Sequence, residues 1–127
     1  MKLIRLTLWF QSIYYLLTAI WPLVDIDSFM RVTGPKTDVW LVKTVSVLLI
    51  PISLSFITHL VLRINTWPAA IMAITCCIGL ACIDFYYALR DVISNIYMAD
   101  GAVQLLLLAI WIYIVLFKKH ELNPSTN

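Results

Sequence analysis

Four long apolar runs divide the chain, at residues 6–24, 39–62, 69–89 and 95–117, with polar residues gathered in the short stretches between them. About 20 consecutive apolar residues form a helix long enough to cross a hydrocarbon core of about 30 Å. A backbone in lipid must satisfy its own hydrogen bonds, so such runs are read as helices. The pattern predicts an all-α membrane protein, a four-transmembrane-helix bundle in one domain. The first run follows a short basic start, Lys2 to Arg5, which is also how a signal peptide begins. Its far end, Ile20-Trp21-Pro22-Leu23, is bulky and lacks a small-x-small cleavage site, so it is read as a retained span.

The longest polar interruption is residues 22–44, PLVDIDSFMRVTGPKTDVWLVKT. Asp25 or Asp27 is placed to cap a short interfacial helix through Ser28, Phe29, Met30 and Val32, between spans 1 and 2. Thr33-Gly34-Pro35-Lys36 reads as a turn, and Thr37 or Asp38 as the cap of span 2. Trp40 then falls at headgroup depth, and Pro51 in mid-span predicts a kink. Asn65-Thr66-Trp67-Pro68 joins spans 2 and 3 tightly, and residues 118–127 read as a disordered tail.

Composition agrees with the pattern: 62% of the 127 residues are hydrophobic and 13% charged, too few charges to cover a soluble surface. The lipid bilayer is therefore the first partner. A net charge of +2 without a basic run gives no footprint for nucleic acid. Cys76, Cys77 and Cys82 form no CxxC pair and are read as small packing residues. His59 has only Arg63 one turn away and the other histidine is in the tail, so no zinc set of three or four ligands is expected. No glycine-rich phosphate loop is present, and no cofactor is expected.

With four spans, the connections after spans 1 and 3 share one side of the membrane. Of nine basic and seven acidic side chains, four and six respectively then lie toward that side: Arg31, Lys36, Lys43 and Arg90 with Asp25, Asp27, Asp38, Asp84, Asp91 and Asp100. The opposite side holds Lys2, Arg5, Arg63, Lys118 and Lys119, with Glu121 as its one acid. By the positive-inside rule this second side is cytoplasmic, which places both termini inside and six of the seven acids toward the outside of a cell inner membrane.

Lys43, Asp84 and Asp100 lie inside spans 2, 3 and 4, each roughly 7–9 Å from the outer face at 1.5 Å per residue. An ionisable group at such a depth costs about 2–3 kcal/mol unless it turns inward to a partner. At least one direct pair between Lys43 and an aspartate is expected. Gln11, Tyr14, Thr18 and Trp21 form one stripe on span 1, Asp84, Tyr87 and Asp91 one on span 3, and Asp100, Gln104, Leu107 and Trp111 one on span 4. Lys43, Ser46 and Ser53 are read as a shared face of span 2. Lys43, Asp84, Asp100, Tyr87, Trp40, Gln104, Tyr14 and Thr18 are the candidate lining of an outward-facing polar pocket. The competing reading gives these groups only the work of holding helices together.

The run WPLVDIDSFMRVTGPKTDVWLVKT, with DFYYALRDVISNIYMAD before span 4, resembles a group of small uncharacterised four-pass bacterial membrane proteins. The overall plan is also similar to that of the DoxX-like four-helix membrane proteins, in architecture alone. The resemblance implies location and topology and names no reaction. The leading expectation is a protein that binds a small molecule or serves a membrane-protein partner. The alternatives are a transporter-like or channel-forming subunit, which needs a homo-oligomer for a wide pore, and an intramembrane enzyme using Asp84 and Asp100.

Overall fold

A computed structural model describes residues 2–123. It contains five α-helices: α1 Lys2–Val24, α2 Ile26–Thr33, α3 Val39–Leu62, α4 Trp67–Ala88 and α5 Ile96–Phe117, followed by a 3-10 turn, Lys119–Leu122. Helices α1, α3, α4 and α5 are each long and apolar enough to cross a membrane. The chain is a multi-pass membrane protein built as a four-helix bundle, with α2 as the short helix between the first two spans. The basic start joins α1 from Lys2 onward, so the first helix is longer than its apolar run.

Helix α1 packs mainly against α3, and α4 mainly against α5; the two pairs approach each other's backbones much less. Within the second pair a small residue sets the distance. A Cβ added at Gly101 would sit 2.7 Å from Phe85 Cε2, well inside van der Waals contact. The buried face of α4 is also small, running through Ala69, Ala70, Ala73, Cys77, Ala81 and Ala88. Small residues at such faces let membrane helices come close enough for polar side chains to bridge them.

The two ends of the bundle differ. At the end away from α2, Ile4, Leu8, Phe56, Leu60, Trp111, Ile114 and Leu122 pack into a buried core. Leu122 belongs to the stretch expected to be disordered. Its side chain is buried and its carbonyl accepts from Thr66 N–H at 2.9 Å, so the chain after α5 closes this end as far as Asn123. The remainder of that expected tail, 124–127, lies outside the described residues.

At the other end, Asp25 caps α2 by accepting from Ser28 N–H at 3.1 Å, which holds its exposed carboxyl below the usual carboxylate range. Trp21 Nε1 donates to Ser28 Oγ at 2.8 Å, and its ring meets Phe29 edge-on, so α2 is fastened across the end of α1. Gly34 ends α2 with φ of 94°, a conformation that strains any side chain, and donates to Met30 O. Neither polar residue expected to cap the second span does so through its side chain: Asp38 precedes α3, and its carbonyl alone accepts, from Leu41 N–H. Helix α3 continues through Pro51 without interruption.

Gly101→Ala is expected to destabilise the α4–α5 pair by about 1–3 kcal/mol, the usual cost of forcing a group into a packed contact. Phe85→Ala should remove most of that added cost in the double variant. Reversible unfolding of the four proteins in detergent measures the coupling.

A candidate ligand cavity between two helix pairs

Where the helix pairs separate, on the α2 side of the bundle, lies a partly enclosed cavity of about 340 Å³. Tyr14, Tyr15, Thr18 and Pro22 line it from α1, and Phe29 from α2. Val42, Val45, Ser46 and Leu49 come from α3; Leu80, Ile83 and Asp84 from α4; Tyr97, Asp100 and Gln104 from α5. Its volume sits at the lower end of small-molecule sites, about 300–1,000 Å³. Val45 and Ile83 also belong to the exposed, lipid-facing surface, so the cavity reaches that surface between α3 and α4.

A chain of buried hydrogen bonds forms one wall and the floor. Trp111 Nε1 donates to Gln11 Oε1 at 2.8 Å, and Gln11 Nε2 donates to Tyr15 Oη at 3.0 Å. Tyr15 Oη donates to Gln104 Oε1 at 2.9 Å, and Gln104 Nε2 to Asp100 Oδ1 at 3.3 Å. Tyr14 Oη completes it, donating to the same Asp100 oxygen at 2.5 Å. Gln11 Nε2 also reaches Ala73 O on α4 at 3.3 Å and Cys77 Sγ at 3.4 Å. Cys77 thus takes part in the polar network, beyond the packing role expected of it.

Asp100 is therefore held by two donors, whereas Asp84 is not. Asp84 is 5% exposed, interacts with the Asp100 carboxyl, and keeps its buried Oδ2 without a hydrogen-bond partner among the described residues. An unpaired buried acceptor costs about 1–3 kcal/mol, more when charged. The pairing expected to relieve this, with Lys43, does not form. Lys43 is exposed, and no ion pair of its own occurs among the described residues. The reason is angular. Ser46 and Ser53, seven residues apart, both turn inward and are buried, while Lys43 lies about 60° round the helix from Ser46. Its long side chain can lead its ammonium toward the nearby membrane face.

Of the other candidates, Tyr14, Thr18, Asp100 and Gln104 line the cavity together with Asp84. Trp40 and Tyr87 do not. Trp40 is 65% exposed on the outside of α3, as suits an interfacial tryptophan. Tyr87 is 38% exposed and packs edge-on against Tyr86, with ring centroids 5.0 Å apart. Asp91 leaves the expected stripe as well, since α4 ends at Ala88 and Asp91 adopts φ of 57°. Tyr15, Pro22, Phe29, Ser46 and Tyr97 are lining residues outside the sequence-derived set. The spacing of Tyr15 from Gln11 and of Ser46 from Ser53 was the available signal for two of them.

The roof is held by Lys36. Its Nζ donates to Thr33 Oγ1 at 3.0 Å and to the carbonyls of Thr33 and Gly34 at 3.3 Å each. It also stands over the Phe29 and Tyr97 rings, 5.5 and 5.0 Å from their centroids. One lysine thus ties α2 to the start of α5 through two cavity-lining aromatics.

The cavity can accept hydrogen bonds and favour positive charge, but it holds no activated nucleophile among the described residues. Thr18 and Ser46 donate to carbonyls of their own helices, Tyr14 O at 2.7 Å and Val42 O at 3.1 Å. His59 lies at the opposite end, in a smaller cleft of about 110 Å³ with Arg5 and Arg63. Among the described residues no three His, Cys, Asp or Glu side chains converge on a metal position.

Tyr15→Phe removes the hydroxyl that joins the Gln11 and Gln104 amides while keeping the ring. It is expected to lower stability by about 1–3 kcal/mol. Tyr86→Phe, on the exposed side of α4, should stay within about 0.5 kcal/mol. Equal effects in detergent unfolding would show that the buried chain is not holding the wall. Compared with family models, with curated proteins and with solved structures, the chain finds no match.

Proposed function

We propose that this protein is a small-molecule-binding component of a bacterial inner membrane, with its ligand cavity in the outer half of the bilayer and α2 as the cavity's roof. The observation that carries this reading is the cavity of about 340 Å³ beside a buried carboxyl oxygen without a partner. A bound molecule supplying a donor there removes the desolvation cost that the chain itself leaves uncompensated. The floor supports binding over conduction: below the cavity Tyr15, Phe56 and Trp111 are buried and the apolar core follows. A binding or accessory role for a membrane-protein partner needs no continuous polar path.

The orientation follows the charges, with Lys2, Arg5, Arg63, Lys118 and Lys119 inside and six of the seven acids outside. An impermeant maleimide should label a Thr37→Cys variant in intact cells and a Lys119→Cys variant only after permeabilisation. The reverse pattern overturns the orientation. Native mass spectrometry of protein extracted in lipid nanodiscs tests the cavity itself. The parent protein should carry a non-covalent adduct of small-molecule mass. Ser46→Trp, which fills the cavity from α3, should lose that adduct while staying folded. Identical spectra for the two proteins contradict the binding reading.

A further inference from the structure

We propose that the ligand is an amphiphilic organic cation, an ammonium group seated on Asp84 with an apolar body that reaches the lipid between α3 and α4. The inference rests on the binding reading above and adds the chemical class and the route of entry. Three observations carry it together.

First, two carboxyl groups, Asp84 and Asp100, line the cavity, and among the described residues no cationic side chain does. The neighbouring cations are committed elsewhere: Arg31 and Lys43 are exposed, Arg90 is exposed and stacks over Tyr86, and Lys36 is saturated by Thr33 and Gly34 and stacked on two rings. Second, the acceptors differ in vacancy. Asp100 Oδ1 already accepts from Tyr14 and Gln104, whereas Asp84 Oδ2 is buried and unpartnered. The carboxyl oxygen that the described residues leave without a donor is thus on α4, on a residue that lines the cavity. Third, the cavity also has a hydrocarbon wall, supplied on the α3 and α4 sides by Val45, Leu49, Leu80 and Ile83. Val45 and Ile83 are 49% and 54% exposed toward lipid, so this hydrocarbon wall continues into the bilayer.

A bare inorganic cation suits the site poorly. Hard cations such as Ca²⁺ or Mg²⁺ ask for about six oxygen ligands, rich in carboxylates, and among the described residues no three His, Cys, Asp or Glu side chains converge on a metal position. An ammonium ion on an apolar stem matches both halves of the wall. Aromatic rings add to the same preference, because Tyr14, Tyr97 and Phe29 present π-systems to the cavity, and such faces attract organic cations. The shared chemistry can come from a free lipophilic amine or from the amine headgroup of a phospholipid whose tails remain outside the α3–α4 opening.

The test is equilibrium binding of labelled phenethylammonium to the full-length protein in phosphatidylglycerol nanodiscs, with phenethyl alcohol and phenylacetate as competitors. Phenethyl alcohol and phenylacetate are expected to compete at least tenfold more weakly than unlabelled phenethylammonium. Asp84→Asn, nearly isosteric, should weaken binding at least tenfold, and Lys43→Met should leave it unchanged. Should Asp84→Asn fail to fold, the cation-against-alcohol comparison on the parent protein decides alone. If phosphatidylethanolamine in the nanodisc competes with phenethylammonium, the lipid headgroup is the source of the cation; if it does not, a free amine is. Equal competition by the alcohol, displacement by sodium chloride at constant ionic strength, or undiminished binding to Asp84→Asn overturns the cationic assignment. If alcohol and amine bind equally and both are lost in Ser46→Trp, the cavity still binds ligands and only the charge preference falls. If nothing binds and no adduct accompanies the parent protein, both readings fall.

Discussion

The structure depends on one buried connection, the hydrogen bonds that run from Trp111 through Gln11, Tyr15 and Gln104 to Asp100. In lipid the hydrophobic effect does not drive one apolar helix against another, so packing and interhelical hydrogen bonds must do so. This chain of amides and hydroxyls crosses from α1 to α5, and Gln11 extends it to the α4 backbone at Ala73. It therefore links the α1–α3 pair to the α4–α5 pair at the level where their backbones stand apart. Small residues on α4 allow the approach, and Gly101 lets the α4–α5 pair close around Phe85.

The same connection decides which acid is left over. By taking up Asp100 with Tyr14 and Gln104 it fixes that carboxylate to the wall, and Asp84 across from it receives no equivalent donor. Above, Lys36 spends its ammonium on pinning the roof. Below, the hydrophobic core ends the cavity. The unsatisfied oxygen, the missing cation and the gap between α3 and α4 are thus consequences of one arrangement, in which polar groups are used for assembly first and the surplus faces the cavity.

Much of this was legible in the residues. Four apolar runs of spanning length leave little choice of fold class, and the stripe Asp100, Gln104, Leu107, Trp111 already describes the inner face of α5. The gathering of acids toward one end followed from helix parity. What spacing did not resolve was rotation within a face. Lys43 is three residues from the inward-facing Ser46, but that offset of about 60° on a helix separates a wall residue from a lipid-facing one, and a flexible lysine need not turn inward to be solvated. Tyr87, within α4, likewise turns to the exposed side against Tyr86, while Asp91 lies past Ala88, where α4 stops and the stripe has no helix to continue on. Phe29 and Tyr97 depend on how α2 folds over the bundle, a tertiary fact with no periodicity to announce it. Leu122 was hidden by its polar neighbours, Lys118 to Glu121 and Asn123, although one buried leucine suffices to dock a short turn.

The central claim is that Asp84, and not Asp100, supplies the acceptor for a ligand in this cavity. Infrared difference spectroscopy, with aspartate isotope-labelled and phenethylammonium added, reads the two carboxyl groups directly. Ligand addition should perturb a carboxyl band that disappears in Asp84→Asn and persists in Asp100→Asn. A ligand-induced band that survives Asp84→Asn, or no carboxyl change upon saturation, contradicts it.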